Sequence, residues 1–325
     1  MEIREANESD IPRIVELLRA SLGESLMPKS VEYWRWKHIN NPFGPSPVLL
    51  ALENDAVIGV RAFMRWDWRN DDITIRAVRA VDTATHPDHQ GKGIFRKLTM
   101  ALLDVCKQRG LHLVFNTPNE KSLPGYLKMG WQKTGNLPVQ LRLPTPGALG
   151  RRLVNALPSV DTWDGGDSIT NAISLISERG ILQKSTHANG AIITDYSSEY
   201  LRWRYLDVPV VKYMAQSIDT NHGGAALFFR LKKSSLGVEC RITDCVLETP
   251  KLIPTVQKQI RQLAKETRAT YVTIDGLQSK SLLGNWSVKI SGGPIVTTRE
   301  ISTDAVEKFR NFAVWTPSLG DLELF

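Results

Sequence analysis

The sequence predicts an α/β (α+β) fold: a mixed, mostly antiparallel sheet flanked by helices, followed by a second, degenerate unit of the same kind. Three observations carry this. Between residues 81 and 98 a Thr-containing extended run passes through a Pro-closed turn and a glycine pair into an amphipathic helix. The element order over the first 143 residues is strand, helix, several strands, helix, strand, helix, strand, which packs helices on a mixed sheet. A short motif near the start returns, in register, in the second half.

Residues 3–6 read as a short strand. Asp10 stands where a helix cap is wanted and Pro12 falls in the first turn. Ile11, Ile14, Val15, Leu18 and Leu22 then share one helical face. Residues 48–52 and 57–66 read as strands around the turn Asn54-Asp55. Residues 73–85 give one or two more strands. From Gly93 the period changes: Ile94, Phe95, Leu98, Ala101, Leu102, Val105 and Cys106 form one helical stripe, and Gly110 stops it. An apolar strand follows at 111–115, a short helix at 122–129 ended by Gly130, and extended chain at 131–143.

Pro144-Thr145-Pro146-Gly147 and Asp164-Gly165-Gly166-Asp167 bracket a linker with a short helix between them. The repeat then appears. Ser30, Glu32, Tyr33, Arg35 and Trp36 are matched by Ser197, Glu199, Tyr200, Arg202 and Trp203, and Pro42 by Pro209. A strand pair (210–232), a long strand (237–247), a helix (252–265) and an apolar strand (270–274) follow the second copy, as similar elements follow the first. The expected organisation is a catalytic unit at 1–143, a linker at 144–190 and a degenerate unit at 191–325. The second unit has Thr249-Pro250-Lys251-Leu252 where the first has its glycine pair. Without glycine the backbone cannot approach a phosphate closely, so one ligand site per chain is expected.

Composition narrows the function classes. Of the 325 residues, 42% are hydrophobic and 23% charged, enough to bury a sizeable core. The formal charge of +7 is spread out, with no basic run beyond Arg151-Arg152 or Lys232-Lys233, which counts against a dedicated nucleic-acid binder and leans slightly toward an acidic ligand such as a phosphorylated cofactor. Cys106, Cys240 and Cys245 include no Cys-x-x-Cys pair, so neither a disulfide framework nor a metal site is expected. No secretory signal and no membrane span is read, and a cytoplasmic location is expected. Homo-oligomer formation is left open.

The stretch Gln90-Gly91-Lys92-Gly93-Ile94-Phe95 delivers backbone N–H groups to a helix start, which makes an anion site. It lacks the Ser or Thr after Lys92 that a Walker loop needs, and Arg96 stands where a dinucleotide fingerprint has its third glycine. It resembles the coenzyme A loop of the GNAT N-acetyltransferases, Gln/Arg-x-x-Gly-x-Gly/Ala, with Phe95 in place of the last small residue. Downstream, Asn119, Ser122, Tyr126, Lys128, Gly130 and Trp131 match a second GNAT motif. This resemblance covers about residues 1–142 and reaches the rest through the repeat.

The resemblance implies acetyl-CoA as co-substrate and a primary amine as acceptor. Thr83, Ala84 and Thr85 would pair with the pantetheine arm. Gly91, Lys92, Gly93, Ile94, Phe95 and Arg96, with Gln90, would hold the pyrophosphate. Asn119 and Ser122 would lie by the pantetheine, and Tyr126 would protonate the departing thiolate. A phenol suits that task because its ordinary pKa, about 10, exceeds that of a thiol. For the base two candidates stand. Asp82 lies on the strand leading into the cradle. The terminal carboxylate of Phe325 follows the precedent of tandem-GNAT families such as the Eis-like aminoglycoside acetyltransferases. His86 and His89 flank the turn and read as capping or solvated residues. Trp34, Trp36, Trp66 and Trp68 read as core anchors or as walls of an acceptor pocket.

The acceptor is expected to be a small-molecule amine: an amino sugar, an aminoglycoside-like compound or an amino acid. Two alternatives stand beside this reading. One is a catalytically decayed acyl-CoA-binding regulatory or scaffolding protein. The other is an aminoacyl-tRNA-dependent transferase that pairs two such folds, against which the glycine loop counts.

Overall fold

The computed structural model describes all residues except 24–26, 72, 144–164, 183–189, 276–281, 285–286, 291–292, 303–306 and 323–325. In chain order the first half contains β1 (Glu2–Glu5), α1 (Ile11–Leu22), α2 (Val31–His38), β2 (Val48–Glu53), β3 (Ala56–Asn70) and β4 (Ile73–Thr85). Then come α3 (Ile94–Gln108), β5 (Leu113–Asn116), α4 (Leu123–Lys128), β6 (Gln132–Asn136) and β7 (Val139–Arg142). The second half contains α5 (Ile169–Glu178), β8 (Ile192–Thr194) and α6 (Ser198–Leu201), which runs into a π-turn at Arg202–Leu206. It continues with β9 (Met214–Thr220), β10 (Gly223–Ser234), β11 (Gly237–Leu247), α7 (Ile253–Glu266) and β12 (Tyr271–Asp275). It closes with β13 (Ser287–Ile290), β14 (Ile295–Glu300) and α8 (Leu319–Leu322). The short helix expected between the two linker turns lies outside the described residues.

The fold is a mixed α/β structure with two mostly antiparallel sheets. One runs β1-β2-β3-β4-β5-β14-β6, with β8 also paired to β3, and the other runs β13-β7-β12-β11-β10-β9. Reversing the second list aligns its six strands with the six that follow β1 in the first: β9 to β12 correspond to β2 to β5, β7 to β14 and β13 to β6. The last strand of each half lies in the other half's sheet. β7 sits between β12 and β13, and β14 sits between β5 and β6. The extended run 131–143 therefore splits between two sheets. Each half of the chain thus lends a strand to the other half's sheet.

The repeated motif has a local reason. Ser30 Oγ accepts from Tyr33 N at 3.0 Å and Ser197 Oγ accepts from Tyr200 N at 3.1 Å, so both serines are N-caps. Asp10 differs from the sequence expectation. It stands at the start of α1, but its carboxylate accepts from Arg4, at 2.7 and 2.8 Å, and from Asn7 N at 2.9 Å. The salt bridge and the preceding turn outcompete the cap.

Helix α3 packs on the sheet through Ile94, Leu98, Leu102 and Cys106, all buried. Gly59 on β3 makes room for it: a Cβ there would lie 2.7 Å from Ile94 Cγ2 and 3.1 Å from Leu98 Cδ1. Trp36, Trp66, Trp68 and Trp203 belong to the large core cluster shared by the two halves.

Candidate active site

The site begins with a strand that loses its neighbour. β4 pairs with β3 over its whole length, from Ile73↔Asn70 to Thr85↔Gly59. On the opposite edge it pairs in parallel with β5 only at Ala77, Val78 and Arg79. Beyond Arg79 the two strands separate, leaving one β4 edge without a strand partner. In the same stretch β4 carries a bulge: Arg61 faces Thr83 and Ala62 faces Val81, so Asp82 is the extra residue, at φ 35°. Such a bulge re-aims the strand beside the opening.

The chain then turns through Pro87–His89, capped by His86, and enters α3 through Gly91 and Gly93, at φ 77° and 75°. These left-handed conformations suit glycine, and the space beside each missing Cβ is open. Gly93 is the N-cap of α3 and provides no side-chain cap, and the first turn holds no acidic residue. The orphan amides of the helix start thus face an open cleft. Thr83, Ala84, Thr85, Gln90, Gly91, Gly93, Ile94, Phe95 and Arg96 line that cleft, with His89 and with Ser21 and Leu22 at the end of α1. Its volume is about 500 Å³. A strand edge, two flexible glycines and a helix N-terminus around one cleft fit a ligand with an amide-bearing arm and a diphosphate.

Three residues named with these do not line the cleft. Lys92 Nζ lies 3.4 Å from His89 Nδ1. Asn119 Oδ1 accepts from Ser122 N at 2.9 Å, so this pair builds the turn into α4.

Tyr126, on α4, is buried beneath the loop. Its ring stands edge-on to Phe95 and Trp131, with centroids 5.9 and 5.2 Å away. Phe95, the departure from the small residue of the GNAT motif, is therefore the wall that seats Tyr126. The phenol oxygen accepts from Arg61 Nη2 at 2.9 Å. Sequence reasoning missed Arg61. The signal was a cation on an apolar strand, on the same face as Gly59 and Phe63, where α3 packs.

Asp82 is held tightly. Its Oδ2 accepts from Lys37 Nζ at 2.9 Å and lies 2.8 Å from His38 Nε2, both on α2. Burial pushes the Asp82 carboxyl up, but Lys37 and His38 outweigh it and leave the carboxyl far below the ordinary range. Lys37 is pushed up to about 12, the Asp82 charge and Tyr33 overcoming the effect of burial. Burial lowers His38, and Asp82 offsets this only in part. A carboxylate so stabilised is a poor proton acceptor, so its place here is to fasten the bulge to α2. Phe325, the other candidate base, lies outside the described residues. The chain leading toward it is anchored nearby: Arg79 donates to Asp321 O at 2.6 Å and also to Leu322 O. Among the described residues no group of three His, Cys, Asp or Glu side chains is placed to hold a metal.

Comparison with known proteins bears on the family and the fold. A family model described as an acetyltransferase (GNAT) domain matches residues 2–134. An L-amino acid N-acyltransferase, MnaT, of Escherichia coli is 36% identical over 95 residues, which are 28% of this chain and 54% of that protein. The chain thus spans about half the length of that relative. An L-methionine sulfoximine/L-methionine sulfone acetyltransferase of Salmonella typhimurium is 29% identical over 147 residues, 42% of this chain and 84% of that protein. Among solved structures, a GCN5-related N-acetyltransferase from Anabaena variabilis superposes with a TM-score of 0.68 at 13% identity, covering 93% of this chain and 73% of that one. Eis1 from Mycobacterium abscessus gives 0.60 at 12% identity, covering 93% and 74%. At such identities these two structures speak to the fold alone. Over residues 2–134, the chain carries an acetyltransferase domain of the GNAT superfamily.

Proposed function

We propose that this protein is an acyl-CoA-dependent N-acyltransferase that moves an acetyl group from acetyl-CoA to the primary amine of a small molecule. The observation that carries the reading is the shared cleft of the open β4 edge and the uncapped start of α3. The backbone of Thr83, Ala84 and Thr85 would pair with the pantetheine arm as a strand would. The amides of residues 91–96 would hold the pyrophosphate. Acetyl-CoA would supply the activated acyl group as a thioester, and no metal is needed for that chemistry. Tyr126 would give its phenol proton to the thiolate.

The acceptor we favour is an amino acid or a close analogue, following the printed activities of the two relatives. We read the chain as a tandem of two GNAT units with exchanged final strands, at 1–143 and 191–325 in sequence. The second unit enters α7 through Thr249–Leu252, where Thr249 caps the turn, and keeps no glycine cradle. Three free cysteines suit a reducing cytoplasm.

The test is release of free coenzyme A from acetyl-CoA with a panel of amino acids, L-methionine sulfone, amino sugars and aminoglycosides. Turnover confined to one class identifies the acceptor. Tight acetyl-CoA binding with no turnover on any amine would instead favour a decayed, regulatory acyl-CoA-binding protein.

A further inference from the structure

We infer that Arg61 is the positioning residue for Tyr126: it fixes the phenol with its proton free for transfer and receives the negative charge left behind. The inference rests on the reading of Tyr126 as the acid.

Arg61 is fully buried. Among the described residues no carboxylate forms an ion pair with it. Its hydrogen bonds run from Nη2 to the Tyr126 oxygen and from Nη1 to Val81 O at 3.4 Å, and Nε has no partner. Rings surround it instead, with the guanidinium carbon 4.8 Å from the Phe63 centroid, 5.4 Å from Phe95 and 5.5 Å from Tyr126. A buried cation held only by π faces, a carbonyl and a phenol is costly to maintain. Its strongest use is beside a group that becomes negative.

The geometry sets the direction of the proton. Nη2 donates to the phenol oxygen, so the phenol cannot donate back along that line, and its own O–H points elsewhere. In the transfer the amine nitrogen forms a bond to the acyl carbon and the C–S bond breaks with its electron pair on sulfur. The sulfur takes the Tyr126 proton. The phenolate left behind sits 2.9 Å from a guanidinium nitrogen and regains a proton as the amine releases one to solvent. Arg61 does not itself line the cleft. It also shares the bulge, since it lies opposite Thr83 beside the extra residue Asp82. The acid and the strand edge that receives the thioester are therefore registered to one side chain.

The experiment is a double-mutant cycle with Arg61→Met and Tyr126→Phe, with Arg61→Lys as a milder variant should the Met variant fail to fold. One readout is kcat for acetyl-CoA with L-methionine sulfone or the best acceptor of the panel. The other needs no acceptor: the calorimetric preference for coenzyme A over desulfo-coenzyme A, which reports the contact between Tyr126 and sulfur. We expect each single variant to lower kcat roughly 100-fold with KM for acetyl-CoA nearly unchanged, and to abolish the thiol preference. The double variant should be no worse than Tyr126→Phe alone. Equal losses from Arg61→Met in both backgrounds, in either readout, would show a merely structural Arg61 and overturn the inference. If Tyr126→Phe leaves both readouts intact, the reading of Tyr126 itself fails.

Discussion

Trp36 and Trp203 stack with ring centroids 4.6 Å apart, and each donates its indole N–H to the other's backbone carbonyl at 2.8 Å. This reciprocal contact joins the two copies of the repeated motif. The exchange of β7 and β14 extends the same reciprocity to the sheets. Both rings are buried within the core shared by the two halves.

Removing one ring should therefore loosen both units together. Trp36→Ala leaves a cavity and strips the Trp203 carbonyl of its donor, for an expected loss of about 4 kcal/mol. Trp36→Phe keeps most of the ring and should cost about 1 kcal/mol, the value of the hydrogen bond. Urea denaturation should show one cooperative transition in each case. Two transitions in Trp36→Ala, with one half unchanged, would show that the contact does not couple the units.

Much of this was legible in the sequence, for definable reasons. The glycine pair and the change of period at Gly93 report local backbone demands, and local demands are written locally. The return of Trp36 at Trp203 marked a core position in both halves, whereas the capping role of the repeated Ser30 and Ser197 emerged only from the structure. The strand exchange was not legible, because alternation at 131–143 says that the chain is extended and not which sheet it joins. The binding of Asp82 by Lys37 and His38 depends on how α2 meets the β4 bulge, a contact across more than 40 residues. Arg61 was hidden for the same reason: its partners lie on β4, α3 and α4.

Asp82→Asn should destabilise the fold more than a surface change would. Lys37 would remain buried without its counter-charge, at a cost of about 3 kcal/mol or more. Adding Lys37→Met should recover a large part of the loss. Because the Asp82 carboxyl is held below its ordinary range, its contribution is present above the unfolded-state pKa and is lost only as pH falls through the lower folded value. The deficit of Asp82→Asn should accordingly be constant between pH 5 and 8, as thermal melts across that range would show. A deficit that vanishes by pH 5 would contradict the assignment.

His38 gives the opposite behaviour in mild acid. Its imidazole lies between Asp82 and Ser46 Oγ, 2.9 Å from Nδ1, and burial disfavours the charged form. The unfolded chain takes up that proton near pH 6.5 and the folded chain resists it, so stability is lost as pH falls below about 6.5. His38→Gln should flatten this part of the stability profile between pH 7 and 5. An unchanged slope would mean that other groups set the acid limb.

The proposed function requires the amides around Gly93 to cradle a coenzyme A pyrophosphate. Gly93 has φ 75° and open space at its Cβ position, so a β-branched residue there changes the backbone rather than filling a void. The most direct measurement is calorimetric titration of acetyl-CoA into the wild-type protein and into Gly93→Val, with thermal melts confirming that both are folded. The account predicts saturable one-site binding to the wild type and at least about a tenfold loss of affinity in the folded variant, of the order of one lost charge-assisted hydrogen bond. Absence of binding to the wild type, or equal affinity in the two proteins, would contradict it.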